Sequence, residues 1–272
     1  MPFKKFPILT LISLITNISL AIILVYIRQS YNPSFISSGF QSKVANEEVI
    51  ANNTNKNPEL GERHYLNYEE WIDLLRQEAK TIAQQKPDNL NLLLGDSIML
   101  WFPPYLLPPD AVWLNQGISG DTSRGLLKRL NILDETKPRK IFIMIGINDL
   151  LKGIKDDNIL ANHLLIIRYL RKVHPSSDII IQSILPHGAN KATWEGKAKL
   201  LDIPNERIKK INQRLKEIAE SEGVIFLDLY PLFADENGNL RMEFSTDGLH
   251  LASSGYQVWR STLQVLNLVE FN

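Results

Sequence analysis

The chain has 272 residues, 44% of them hydrophobic, enough for one globular domain and an appendage. Thirty basic residues offset thirty acidic ones, so the charge footprint of a nucleic-acid-binding protein is missing. With no cysteine, disulfides, thiolate metal sites and a cysteine nucleophile are excluded, while the compartment stays open.

Residues 8–27 carry no charged side chain and are rich in Ile and Leu. Twenty helical residues rise about 30 Å, the thickness of a bilayer's hydrocarbon core. Lys4 and Lys5 precede the run and Arg28 follows it, a slight bias toward a cytoplasmic amino terminus. A cleaved signal peptide would need a small-residue cleavage site, and none precedes Tyr31; a buried core helix would show a polar face. The reading is an uncleaved signal anchor over residues 1–28, with the remainder outside the cytoplasm. Residues 29–65, Asn-rich with Ser, Pro and Gly, form a flexible linker that cannot bury a core. Asn52 opens a glycosylation sequon, which matters only in a host that glycosylates. The folded domain is placed at 66–272.

In that domain Trp71, Leu74, Leu75, Ala79 and Ile82 recur at three- and four-residue steps, with Asn67 as N-cap and Lys86-Pro87 as the stop. Leu92-Leu93-Leu94 then reads as a strand buried on both faces, ended by the turn-forming Gly95-Asp96-Ser97. Open α/β sheets place their ligand crevices just past such strand ends, although a lone Gly-Asp-Ser is also an ordinary turn. Four prolines between Pro103 and Pro109 forbid regular structure there. This apolar loop either lines an acyl pocket, touches a membrane or packs over the sheet edge.

Residues 111–115 predict a second strand, leading into Gln116-Gly117-Ile118-Ser119-Gly120-Asp121-Thr122. The glycine spacing fits neither a dinucleotide fingerprint nor a P-loop. Without a side chain, Gly117 can bring its backbone N–H close to a reacting atom. Asp121 or Thr122 caps the following helix, which carries Leu126, Leu127, Leu130 and Leu133. Residues 140–145 predict an interior third strand, and Asn148 follows it at the same sheet end as Ser97. There its amide either marks a turn or donates to developing negative charge. Helix and strand alternate onward through 159–173, 178–185, 208–219 and 224–229, which means a parallel sheet covered on both faces. His163 reads as structural; His187 and Trp194 read as a surface loop or, less simply, a cleft edge.

Near the carboxyl terminus Asp247 and His250 stand three apart around Gly248, before a closing helix with Tyr256, Trp259 and Leu263. A tight loop there lets the carboxylate hold the imidazole and fix its tautomer. A single Asp-His pair makes a poor metal site, and no Gly-x-Ser-x-Gly elbow of the conventional α/β-hydrolases occurs.

Gly95-Asp96-Ser97, the Gly117 of Asn-Gln-Gly, Gly146-x-Asn148-Asp149 and Asp247-x-x-His250 follow the order of the four blocks that mark SGNH (GDSL-type) hydrolases. From about Leu90 onward the chain resembles that family, most of all its platelet-activating-factor-acetylhydrolase-like and small O-acetylesterase members. Ile98 replaces the leucine of the family's name. The resemblance implies an α/β fold, a three-layer α/β/α sandwich with a five-stranded parallel sheet. It also implies Ser97 as nucleophile, His250 as base and then acid, and Asp247 as its orienter. The oxyanion hole would be made by the Ser97 and Gly117 N–H groups and the Asn148 amide, with no cofactor and no metal. The reading is a short-chain esterase acting on a small-molecule or glycan ester, held to a membrane by its amino-terminal helix. A lysophospholipase or thioesterase is the second reading, and a catalytically silent binding protein the third.

Overall fold

The computed structural model describes residues 66–268. The anchor expected at 1–28 and the linker expected at 29–65 lie outside those residues. Among the described residues, no helix is long and apolar enough to cross a membrane.

Helix α1, Tyr68–Gln85, starts where the sequence places it: the Asn67 side chain accepts the Glu69 and Glu70 N–H groups, and Glu70 returns a bond to the Asn67 N–H. Such a reciprocal cap satisfies donors that an isolated helix end leaves orphaned. Its inner face is narrower than the periodicity predicts, because Leu75 and Ala79 are buried while Leu74 is exposed.

Five strands follow: β1 Leu90–Gly95, β2 Val112–Gly117, β3 Lys140–Met144, β4 Asp178–Gln182 and β5 Ile225–Leu227. All pair in parallel in the order β2-β1-β3-β4-β5. The central β1 and β3 are buried at every position, as their unbroken apolar runs require. Lys140 opens β3 as a charge but is buried, its ammonium donating to the Leu266 carbonyl.

Alternate strand residues face two separate cores. Leu92, Leu94, Ile141, Ile143, Ile179 and Ile181 pack with the helices α1, α3 (Ser123–Arg129) and α5 (Asp156–Val173). Leu93, Phe142 and Ile180 pack on the other side with α7 (Asn205–Ser221) and α9 (Ser253–Leu268). The result is the three-layer α/β/α sandwich. Short helices α2 (Ser97–Leu100), α4 (Ile147–Leu151), α6 (Lys197–Leu201) and α8 (Tyr230–Phe233) lie in the connections.

Register decides where the chemistry gathers. Gly95 is level with Gly117 on one side and with Met144 on the other. The loops after β1, β2 and β3 therefore leave the sheet at one edge, side by side, although they are far apart in sequence.

Candidate active site

Ser97 is the first residue of α2, immediately beyond β1, and Asp96 caps that helix by accepting the Ile98 N–H at 3.0 Å. The hydroxyl of Ser97 lies 3.1 Å from His250 Nε2. His250 Nδ1 lies 2.8 Å from Asp247 Oδ2. A carboxylate only accepts, so Nδ1 carries the proton toward Asp247 and Nε2 is left to accept from Ser97. Ser97 and His250 are both buried.

Asp247 also builds the turn that presents the base, its Oδ1 accepting the N–H groups of Leu249 at 2.9 Å and His250 at 2.8 Å. Gly248 between them has φ +86°, a conformation side chains rarely adopt, and a Cβ there would meet Ala192 at 2.5 Å. Partial burial by itself would raise the Asp247 carboxyl. The bonds from the His250 ring, the His250 N–H and the Leu249 N–H outweigh it and hold the group below the usual carboxylate range.

Asn148 sits in the first turn of α4. Its Nδ2 is buried and has no hydrogen-bond partner, which makes it a donor held ready at this sheet end. Gly117 closes β2, and a Cβ there would meet the Leu100 N at 2.5 Å and the Asp96 O at 2.9 Å, so only glycine allows this approach. Its N–H donates to Asn115 Oδ1 at 3.0 Å, an engagement that the motif comparison does not foresee.

Beneath the site a buried polar cluster ties the blocks together. Asp121 Oδ2 accepts from Arg129 Nε at 2.8 Å, and Arg129 Nη2 donates to the Gly95 carbonyl at 3.2 Å. Thr122, rather than Asp121, caps α3 by accepting the Gly125 N–H at 3.1 Å. Asp149 accepts from the Ser123 N–H at 2.8 Å and the Ser123 hydroxyl at 2.6 Å, which links α4 to α3. Burial pushes the Asp96 carboxyl up to about 7 against the pull of the Ile98 N–H, and nearby Asp121 and Asp149 push it the same way. Arg129 was legible in one respect: it is a charge on the same helical face as Leu126, Leu130 and Leu133.

The proline-rich loop divides its roles. Phe102 and Leu106 enter the core, whereas Trp101 is 49% exposed and Tyr105 is 76% exposed. The Trp101 ring lies 4.2 Å from the His250 ring, centroid to centroid, tilted by 36°. The two residues are far apart in sequence, and periodicity carries no trace of the contact.

The loop after β4 is neither a plain surface loop nor a cleft edge. His187 is buried, its Nε2 donating to the Ile203 carbonyl at 2.6 Å and its Nδ1 accepting the Ala189 N–H at 3.1 Å. Burial pushes this imidazole down, so it stays neutral. The Thr193 and Trp194 N–H groups donate to the Asp247 carbonyl at 2.8 and 2.9 Å, so the loop braces the turn that carries the base. His163 is structural as expected, buried with Nε2 on the Ile145 carbonyl at 3.1 Å.

A parallel α/β/α sandwich with a Ser–His–Asp relay at the carboxyl ends of its strands defines a serine hydrolase of the SGNH type. The chain belongs to the GDSL-like lipase/acylhydrolase family, a class of carboxylic ester hydrolases, and the family's model matches residues 93–258. It is 28% identical over 158 residues to the isoamyl acetate-hydrolyzing esterase of Saccharomyces cerevisiae, a match covering 55% of this chain and 66% of that protein. A solved structure from Streptococcus pneumoniae, provisionally named a platelet activating factor, is 28% identical with a TM-score of 0.64. That match covers 73% of this chain and 95% of the other. Axe2, an acetylxylan esterase from Geobacillus stearothermophilus, shares the fold at 19% identity and a TM-score of 0.54, covering 68% of this chain and 96% of its own.

Proposed function

We propose that the protein is a serine esterase that removes short acyl groups, acetyl above all, through an acyl-serine intermediate. The observation that carries the reading is the joined Ser97–His250–Asp247 relay with the unpartnered Asn148 amide at the same sheet end. In this mechanism Ser97 Oγ attacks the ester carbonyl while His250 Nε2 takes its proton. The carbonyl oxygen gains negative charge, met by Asn148 Nδ2 and the Ser97 and Gly117 N–H groups. As the intermediate collapses, His250 returns the proton to the leaving alcohol. Water, deprotonated by the same imidazole, then releases the acid and restores Ser97. The yeast relative's action on isoamyl acetate supports a short acyl group.

A second reading is a lysophospholipase or thioesterase with longer acyl chains. It is favoured by the exposed Trp101 and Tyr105, the first of them against the base. A silent binding protein would have no use for the relay. The charge-free run at 8–27 supports a domain tethered outside the cytoplasm, where glycan esters are candidate substrates.

A panel of aryl esters of increasing acyl length, with a fluorophosphonate probe, tests these readings. Fastest turnover on acetate and labelling abolished in Ser97→Ala support the proposal; fastest turnover on long chains selects the second reading. No turnover and no labelling leave the binding protein. Retention in the membrane after carbonate washing, with the amino-terminal residues intact, tests the tether.

A further inference from the structure

We infer that Asn115 is a positioning residue, holding the nucleophile's helix in register with the oxyanion glycine. The inference rests on the serine esterase reading. Asn115 lies on the edge strand β2, two residues before Gly117, and its side chain works at both ends. Oδ1 accepts the Gly117 N–H at 3.0 Å. Nδ2 donates to the Met99 carbonyl at 2.8 Å and the Leu100 carbonyl at 3.3 Å. Those carbonyls belong to the last turn of α2, whose first residue is Ser97.

A helix of 4 residues cannot sustain itself, and its final carbonyls have no partners within it. Asp96 holds the amino end of α2, and the Asn115 amide holds the carboxyl end. Because a carboxamide is planar and stiff, fixing its nitrogen on α2 fixes where its oxygen meets Gly117. The spacing leaves no slack: the α2 backbone presses on Gly117 closely enough that a Cβ would lie 2.5 Å from the Leu100 N. Any rotation of the Asn115 amide therefore shifts Ser97 against the Gly117 N–H.

There is a consequence for the oxyanion hole. The Gly117 N–H reaches the oxyanion as a shared, three-centre donor, because Asn115 already takes part of it. The Asn148 amide has no competing partner and is the stronger of the two.

The test is kcat, KM and the thermal midpoint for Asn115→Ala and Asn115→Asp, assayed on an aryl acetate in the full-length protein. Misplacing reacting groups by about 1 Å costs on the order of 10²-fold, so Asn115→Ala lowers kcat by about 10- to 100-fold. KM moves by less than about threefold, since the loss falls on the transition state. Asn115→Asp keeps an acceptor for Gly117 but faces a carboxylate to two carbonyls, and its kcat falls at least as far. If Asn115→Ala does not fold, Asn115→Ser is read in its place. A kcat within about twofold of the parent, whatever the midpoint does, reduces Asn115 to a structural role and overturns the inference. A raised kcat also overturns it, showing that Asn115 only masks the Gly117 donor. Failure of the underlying esterase reading is seen separately, as a parent protein that neither turns over the ester nor takes the probe.

Discussion

Asp247 grips His250 at two points, its Oδ2 lying 2.8 Å from the ring Nδ1 and its Oδ1 accepting the backbone N–H at 2.8 Å. One carboxylate therefore sets both the tautomer of the imidazole and the turn on which it rides. The two roles are separable by substitution, because only the first needs a charge.

In Asp247→Asn the amide oxygen still accepts the Leu249 and His250 N–H groups, so the turn survives. The amide NH₂ now faces Nδ1 and selects the opposite tautomer, which turns an N–H toward Ser97. By analogy with other triads, kcat falls on the order of 10⁴-fold with a nearly unchanged thermal midpoint. A loss below about tenfold on an aryl acetate shows that Asp247 does not orient the base.

Asn148→Ala removes the unpartnered donor. Loss of one oxyanion donor costs about 10²–10³ in kcat, with little effect on substrate binding. Asn148→Asp is at least as damaging, since a carboxylate repels the developing charge and cannot donate. Steady-state kinetics on the two variants check this, and near-parental kcat in Asn148→Ala takes the residue out of the site.

Asp96 ties stability to pH. Its carboxyl is raised from 3.8 to about 7 by burial, so the folded chain binds the proton more tightly than the unfolded one. Its contribution is therefore most favourable at low pH and is lost as pH rises from about 4 through about 7. Asparagine keeps the N-cap acceptor without the buried charge. Asp96→Asn matches the parent near pH 4 and gains on it by up to roughly 4 kcal/mol by pH 8. Buried His163, lowered to about 4, acts in the opposite sense, costing stability as pH falls from 6.5 toward 4. Denaturant unfolding of both proteins across this range isolates Asp96, because His163 is common to them. A difference independent of pH removes Asp96 as its source.

Arg129 and Asp121 form an ion pair whose side chains are 1% and 2% exposed. Arg129→Met leaves the Asp121 carboxylate buried without its partner, which costs about 3–5 kcal/mol. The double variant Arg129→Met/Asp121→Leu recovers most of that loss, since an apolar pair strands no charge. Urea unfolding of the single and double variants decides it; a single variant as stable as the parent shows that the pair does not matter.

The sheet and the four blocks were legible in the sequence because they rest on local patterns. Leu92-Leu93-Leu94 and 140–145 are apolar runs that only an interior parallel strand accommodates, and the turn residues after them mark one sheet end. Gly248 between Asp247 and His250 likewise announced a tight turn. Contacts that span loops were not legible, since no periodicity records them. Trp101 against His250, Asn115 bridging Gly117 and α2, Arg129 on the Gly95 carbonyl and the His187 loop bracing Asp247 all arise from strand register and close packing. Local chemistry determined which side chains are capable of the reaction. Only the tertiary structure decided how they are held, because holding them takes backbone carbonyls and buried charges brought together from distant parts of the chain.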